Sequence, residues 1–452
     1  MHHRTISMAY GRNGYALDLP ADLAQWDLFN PQDHPPLADP AGALEKAFLQ
    51  PIGARPLREI VAPDERVVVV TSDNTRPVPN RELIPALVKH LGLTAERLTI
   101  LVGGGSHKAN TRQEWLEMFG EEIVEAFPIF NHDAYDPGEL VEIGRTDAGG
   151  KALLNTRWVH ADKRIVLGFI EPHFFAGFSG GSKGVMPALA GIETILHFHR
   201  AAIIGDPRTT WGVMAGNPQQ ELSREVTAMA PPDFLVNVTL SLSKQITGVY
   251  CGHYLDAQAA GVEQARREAM APATRSYPLV VTTNSGYPLD QNLYQTVKGM
   301  SAAAKIVQEG GSILTLSECA KGIPDHGHFA ELMTIEPNPR ALLERIEAPD
   351  FSALDQWQAQ TLALILLKAR VFLHSTLQPD AVRRCQIEPV DSVEGFLSEY
   401  CESYRRRHGE PPVVAVLPHG PLTIPYLDSG DPPVQSSAET AARSDIGTAP
   451  PS

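Results

Sequence analysis

RVVVVTSDNTRPVPNRELIPALVKHLGLTAERLTILVGGGSH, residues 66–107, decides the fold. Residues 66–70 hold four consecutive valines, a short apolar run bounded by polar residues, which reads as a buried strand. That strand runs into Thr71-Ser72-Asp73-Asn74-Thr75-Arg76-Pro77, where the proline forces Arg76 out of helical backbone. Residues 80–91 carry the amphipathic period of a helix, and residues 98–102 form a second buried strand. A polar loop, Gly103-Gly104-Gly105-Ser106-His107, follows, and then a short helix predicted over 111–119. Strand, polar loop and helix, repeated, is the signature of a parallel α/β sheet. Such sheets bind ligands at the carboxyl ends of their strands.

Downstream, residues 164–170 read as a third buried strand, leading into GFIEPHFFAGFSGGSKGVMPALAGIETILHFH at 168–199. Glu171-Pro172-His173 ends it, since proline cannot continue a central ladder. Residues 177–184 then offer backbone N–H groups with little side-chain cover, the chemistry that holds a phosphate at a strand-to-helix turn. The GxxxxGK[ST] pattern fails, because Lys183 lies between Ser182 and Gly184, so a nucleoside-triphosphate loop is not indicated. Loops 72–77, 103–111 and 171–184 are expected to converge on one crevice.

Around this centre, residues 1–62 read as a proline-rich leader with a hairpin and one helix near 40–48. Beyond it, a helix is predicted at 217–229 with Asn217 as N-cap and Pro218 at its first position. A strand pair at 235–242 and 245–251 and a helix at 253–270 follow. A new α/β unit begins with a strand at 279–283, a helix at 291–309 and a strand at 312–316. Helices are expected near 337–347, 355–369 and 391–407, and a last strand at 413–417. The expected fold is α/β, with two α/β domains, parallel-rich sheets and the active site in the cleft between them. The boundaries are an N-terminal domain over 1–272, a C-terminal domain over 273–410, a returning strand segment over 411–426 and a disordered tail over 427–452.

A net charge of −15 argues against a nucleic-acid partner, and an anionic substrate must meet a local cluster of cations. No apolar run approaches the roughly 20 residues of a membrane helix. The start of the chain lacks the apolar core of a signal peptide. Cys251, Cys319, Cys385 and Cys401 are scattered, which reads as free thiols in a reducing cytoplasm.

Several residues suit chemistry. Arg76 has the planar fork that grips a carboxylate or phosphate, though a turn arginine paired with Asp73 reads equally well. Tyr294 and Lys298 share one helix face next to Gln295; alone, that face reads as solvated surface. His107 and His173 each follow a strand end. A lone loop histidine is usually a hydrogen-bonding residue, but two in one crevice point to acid–base work, worth about 10²–10⁴-fold. His197 and His199, two apart on a helix, cannot both face one point, so they make no two-histidine metal site.

These motifs resemble the lactate racemase family of nickel-pincer-nucleotide enzymes over residues 60–425. The resemblance rests on SDNTRPVP at 72–79, GGGSHK at 103–108, EPHFFAGFSGGSKGVMP at 171–187 with ETILHFH at 193–199, and YQTVKGMSAA at 294–303. It implies a cofactor bound by the N-terminal domain, a thiolated pyridinium mononucleotide joined covalently to Lys183. Nickel on that cofactor would be completed by His199, with His197 as the fallback, in the square-planar geometry expected of Ni(II). Asp73, Gly177, Ser179, Gly180 and Gly181 would lie against the cofactor, while Arg76, Tyr294, Gln295 and Lys298 bind substrate. His107 and His173 would move the hydroxyl proton while hydride passes reversibly to the cofactor through a 2-ketoacid.

The implied activity is racemisation or epimerisation of a 2-hydroxyacid in the cytoplasm, with cofactor-maturation enzymes as partners. The chain departs from the family's usual GTHR at Gly105-Ser106-His107-Lys108, and from Pro-Gly at Pro187-Ala188. Lys108 and Arg200 are spare cations that could receive a second carboxylate and so favour malate; they read equally as surface residues. Two other readings stand beside this one: a nickel or nucleotide carrier without turnover, and a pyridoxal-phosphate-type lysine enzyme. The carrier leaves the histidine pair unexplained, and the pyridoxal reading needs a partner for the pyridine nitrogen.

Overall fold

The structure, a computed structural model, describes residues 3–324 and 327–428. Residues 429–452 of the expected tail lie outside the described residues, and Leu427 ends a strand, Ile424–Leu427. The leader forms an antiparallel hairpin of His3–Met8 with Tyr15–Pro20, then a strand, β1 (Gln25–Leu28), then the helix Pro40–Leu49. Asp39 caps that helix by accepting the N–H of Gly42 at 2.9 Å.

The next strands are β2 (Val67–Ser72), β3 (Leu98–Gly103), β4 (Ile129–Asn131), β5 (Lys163–Phe169), β6 (Phe234–Leu240) and β7 (Ile246–Gly252). They form one sheet in the order β7-β6-β5-β2-β3-β4, in which only β6 and β7 run antiparallel. Val67, Val68, Val69 and Val70 of β2 are all buried, as a parallel strand covered on both faces requires. Helix α1 (Asn80–Leu91) sets Leu83, Ile84 and Leu87 against Val67, Val69 and Ile100. It ends at Gly92, whose φ of 59° is the left-handed cap that glycine adopts without strain. Helix α2 (Ile192–Phe198) follows the glycine-rich loop, and α3 (Tyr254–Ala269) follows β7.

A second sheet is built from β8 (Tyr277–Thr283), β9 (Val307–Leu316), β10 (Arg370–His374), β11 (Glu388–Pro389) and β12 (Val413–Leu417). Its order is β11-β10-β9-β8-β12-β1, parallel throughout. The leader strand β1 thus leaves its sequence neighbours and pairs with β12, and the segment after residue 410 enters this sheet between β8 and β1. Helix α4 (Leu293–Ala304) links β8 to β9, and α5 (Gln356–Lys368) precedes β10. The helix expected over 291–309 therefore stops short. Val307 pairs with Tyr277, and a register shift between Tyr277 and Leu279 absorbs Gly310, at φ 71°, and Gly311. Among the described residues no helix is long and apolar enough to cross a membrane.

Helix α4 lies against the end of β8 because Gly299 has no side chain: a Cβ there would stand 2.0 Å from the carbonyl oxygen of Thr283. A backbone oxygen cannot swing aside, so Gly299→Ala must push the helix outward. We expect it to cost about 1–3 kcal/mol, seen as a lower urea midpoint. A rise in KM should accompany it, since α4 carries three of the pocket residues described next.

Candidate active site

In the first sheet β3 and β5 lie on opposite sides of β2, so the chain reverses direction across the sheet there. Their carboxyl-terminal loops spread apart and open a crevice at this switch point. Asp73 and Arg76 enter it from the loop after β2, His107 from the loop after β3, and Glu171, His173 and Lys183 from the loop after β5. His199 enters from the end of α2. Tyr294, Gln295 and Lys298 of α4 and Trp357 of α5 line the same pocket, so both halves of the chain build it.

The two proton-transfer candidates are held differently. His107 Nδ1 lies 2.7 Å from Oδ2 of the buried Asp73, so it donates to the carboxylate and Nε2 keeps its lone pair. Thr75 Oγ donates to Asp73 at 2.5 Å. Burial works to raise the Asp73 carboxyl, but the His107 imidazole beside it, the Thr75 hydroxyl and Arg76 outweigh it and hold it below its usual range. His173 is the converse. Its Nδ1 accepts the N–H groups of Phe175 at 3.2 Å and Ala176 at 3.1 Å, so the neutral ring carries its proton on Nε2. Burial, then Lys183, Lys298, Arg76 and His199, push His173 well below the ordinary histidine value.

Lys183 sits in a single 3₁₀ turn, Gly181–Gly184, with Nζ 5.8 Å from the ring centre of Phe198. Burial and the nearby Arg76 charge bring its amine down to about 7, leaving much of it neutral and nucleophilic at pH 7. His199 donates from Nδ1 to the carbonyl of Ile195 at 2.9 Å, which leaves the Nε2 lone pair unused. Its ring packs on Trp357 with centroids 4.4 Å apart. Burial first, with the Lys183 charge in support and the Ile195 hydrogen bond opposing, lowers His199 to about 3. A permanently neutral imidazole with a free Nε2 is the form that ligates a metal. His197 lies elsewhere: Arg200 Nη1 donates to its Nε2 at 2.9 Å, and Thr146 Oγ is 3.3 Å away.

The cations of the pocket are Arg76, Lys183 and Lys298. Lys298 Nζ donates to Gln295 Oε1 at 2.6 Å, and Trp357 Nε1 donates to the Tyr294 hydroxyl at 2.8 Å. Burial raises Tyr294, so its hydroxyl keeps its proton. Glu171, which sequence reading saw only as a strand end, places its carboxylate 3.7 Å from Arg76 Nε. Trp357 carries no signal in the sequence either. It is one residue of a predicted helix until the fold brings α5 against His199.

The glycine-rich loop differs from the expected cradle. Ser179 and Gly180 line the pocket, but Gly177 and Gly181 are not among the lining residues. At φ 73° and 56° they are needed for packing: a Cβ on Gly177 would lie 2.1 Å from the Val213 carbonyl oxygen, and one on Gly181 2.4 Å from Gln258. The Gly181 N–H is already donated to Asn237 Oδ1 at 2.9 Å. Ser179 Oγ donates to the Phe169 carbonyl and accepts the Glu171 N–H, so it ties the loop to β5. Neither spare cation reaches the pocket either. Lys108 is exposed and lines neighbouring grooves, and Arg200 is turned onto His197.

Residues 10–212 match the family described as the lactate racemase N-terminal domain, and residues 273–424 match the lactate racemase C-terminal domain. The chain is 34% identical over 381 residues to a lactate racemase of Lactiplantibacillus plantarum, covering 83% of this chain and 89% of that protein. It is also 34% identical over 373 residues to one of Thermoanaerobacterium thermosaccharolyticum, covering 81% and 87%. The solved apoprotein structure of the lactate racemase from that second organism superposes with a TM-score of 0.85 at 31% identity, over 93% of this chain and all (100%) of that one. A Thermotoga maritima protein of 16% identity shares the fold at a TM-score of 0.66, over 87% of this chain and 99% of that one.

Proposed function

The chain belongs to the lactate racemase family, and from that premise we propose that it racemises a small 2-hydroxyacid, lactate first among them. The observation that carries this reading is the opposite hydrogen bonding of His107 and His173 at one pocket with a carboxylate clamp. Inversion at C2 needs hydrogen to leave one face and return to the other. Beside a carboxylate that hydrogen is too weakly acidic for an imidazole to remove. We therefore assign it to a nickel-pincer nucleotide, held covalently by Lys183 with its nickel on His199. The neutral amine and the free imidazole nitrogen fit those two bonds.

When bound, that group supplies a reversible hydride acceptor. The remaining work falls to the chain. Arg76 and Lys298 bind the substrate carboxylate, and Tyr294 and Gln295 orient it. His107 takes the hydroxyl proton on Nε2 while Asp73 steadies the cation that forms. His173 presents Nε2–H to the substrate oxygen as a hydrogen-bond donor, and the proton taken by His107 goes back to that oxygen once hydrogen has come back on the opposite face. Phe174, Phe175 and Trp357 keep water away. A second carboxylate finds no further cation among the lining residues, which favours lactate over malate. The four cysteines are free and buried, in keeping with a reducing cytoplasm.

The test is to produce the chain with cofactor-maturation enzymes and follow L-lactate to D-lactate by chiral chromatography. Arg76→Ala should raise KM by about 10–100-fold, the worth of one hydrogen bond to a charged group, and change kcat less. A nickel-loaded protein that interconverts no 2-hydroxyacid would overturn the reading.

A further inference from the structure

We propose that Glu171 is the standing counter-ion of the carboxylate clamp, a positioning residue that fixes the Arg76 guanidinium by its Nε side and lines the same pocket as Lys298. The inference rests on the reading of Arg76 and Lys298 as that clamp. Three cations crowd into this pocket, yet among the described residues two carboxylates line it, Asp73 and Glu171. Asp73 is engaged by His107. Glu171 is what remains to balance the cations.

Its place is built rather than incidental. Glu171 stands two residues past the end of β5, pinned on both sides of its peptide by one residue. Its N–H donates to Ser179 Oγ at 2.9 Å, and its carbonyl accepts the Ser179 N–H at 2.9 Å. From there the carboxylate meets Arg76 Nε at 3.7 Å, while Arg76 Nη1 donates to the Thr75 carbonyl at 3.3 Å. With Nε and Nη1 so held, the Nη2 edge carries no hydrogen bond to a described residue. It is the edge a substrate carboxylate can take.

The charges around Lys298 show what Glu171 contributes. Burial, Arg76 and Lys183 push its ammonium well below the ordinary lysine value, and Glu171 and Asp73 pull it back. Glu171 faces Arg76 and Lys298; burial raises its carboxyl and those two cations oppose the rise. Lysine carries its charge only below its pKa. Removing the Glu171 charge therefore moves the loss of the Lys298 charge, and the rise in KM that follows it, to lower pH.

Glu171→Gln keeps the shape and removes the charge. In cofactor-free protein, competitive acetylation by acetic anhydride over a pH series, read peptide by peptide, gives the titration of Lys298. In the variant it should be half-reactive at a pH about 1–3 units lower, the effect of losing one nearby opposite charge. In loaded protein the KM for L-lactate should rise over the same lower range, with kcat moving less. Glu171→Asp should recover part of both. An unmoved Lys298 titration would overturn the inference, as would a KM that falls at every pH, because Glu171 would then be a competitor for the clamp. If Lys298→Ala leaves KM unchanged while the labelling shift is present, the clamp reading fails instead, so the two failures are distinguishable.

Discussion

Lys183→Ala is expected to give a folded protein that carries no covalent nucleotide and racemises lactate no faster than the uncatalysed background. The reason is specific to this amine. An ordinary lysine with a pKa near 10.4 is unprotonated in roughly one molecule in 2,500 at pH 7. Lys183, brought to about 7 by burial and by Arg76, is unprotonated in a large share of molecules. That difference from an ordinary lysine makes Lys183 a nucleophile; burial lowers Lys298 as well, so what separates the two is the partner each amine has. Lys298 is engaged by Gln295, and arginine at position 183 could not lose its proton at all. Lys183→Arg is therefore expected to be as inactive as Lys183→Ala. The alanine variant should not weaken the fold, since it removes a buried group whose charge Arg76 opposes, whereas the arginine variant keeps a permanent charge there and should lower the urea midpoint. Intact-mass spectrometry after co-production with the maturation enzymes, with a urea midpoint on the same sample, checks both halves. A full nucleotide adduct surviving denaturing dialysis of Lys183→Ala would move the attachment point elsewhere.

How far the sequence shows this arrangement depends on the range of the forces involved. Strands β2, β3, β8 and β12 are continuous apolar runs bounded by polar residues, and burial on both faces leaves them no other reading. Helix α1 announces itself by period and by Gly92. Strand β1 does not: Gln-Trp-Asp-Leu is half polar, and among the described residues its ladder partner is β12 at the far end of the sheet-forming chain. The end of α4 is not legible because residues 305–309 suit helix or strand, and the pairing of Val307 with Tyr277 decides it. Among candidate site residues, those in compact motifs stand out in the sequence, and the fold brings His107, His173, Lys183, His199, Arg76, Tyr294, Gln295 and Lys298 to one pocket. Glu171 and Trp357 do not, because their significance lies in tertiary neighbours, Arg76 for one and His199 for the other. The glycines misled in the opposite sense. Gly177 and Gly181 satisfy Val213, Gln258 and Asn237, and a sequence cannot tell such a glycine from one that admits a ligand.

His107→Ala and His173→Ala are each expected to lower kcat by about 10²–10⁴-fold, the usual worth of a positioned acid or base. Racemisation takes the hydroxyl proton onto His107 and returns it while His173 Nε2–H holds the same oxygen by a hydrogen bond, so either loss alone interrupts the cycle. The double variant should then be no slower than the slower single variant, whereas independent contributions would multiply. Asp73→Asn should reproduce much of the His107 loss with the ring intact. An amide N–H opposite Nδ1 favours the tautomer with its proton on Nε2, which removes the lone pair that accepts the substrate proton. The pH dependence separates the two rings. His173 lies well below the ordinary histidine range, because burial and four neighbouring cationic or imidazole groups oppose a charge there. It stays neutral through about pH 6.5, the ordinary histidine value, and adds no limb to the rate profile there. His173→Ala should accordingly depress kcat/KM across that range without changing the shape of the profile. Steady-state rates on purified, nickel-quantified variants decide the matter. Full activity in either alanine variant, or a double variant slower by the product of the two single losses, would mean that the proton moves through some other group.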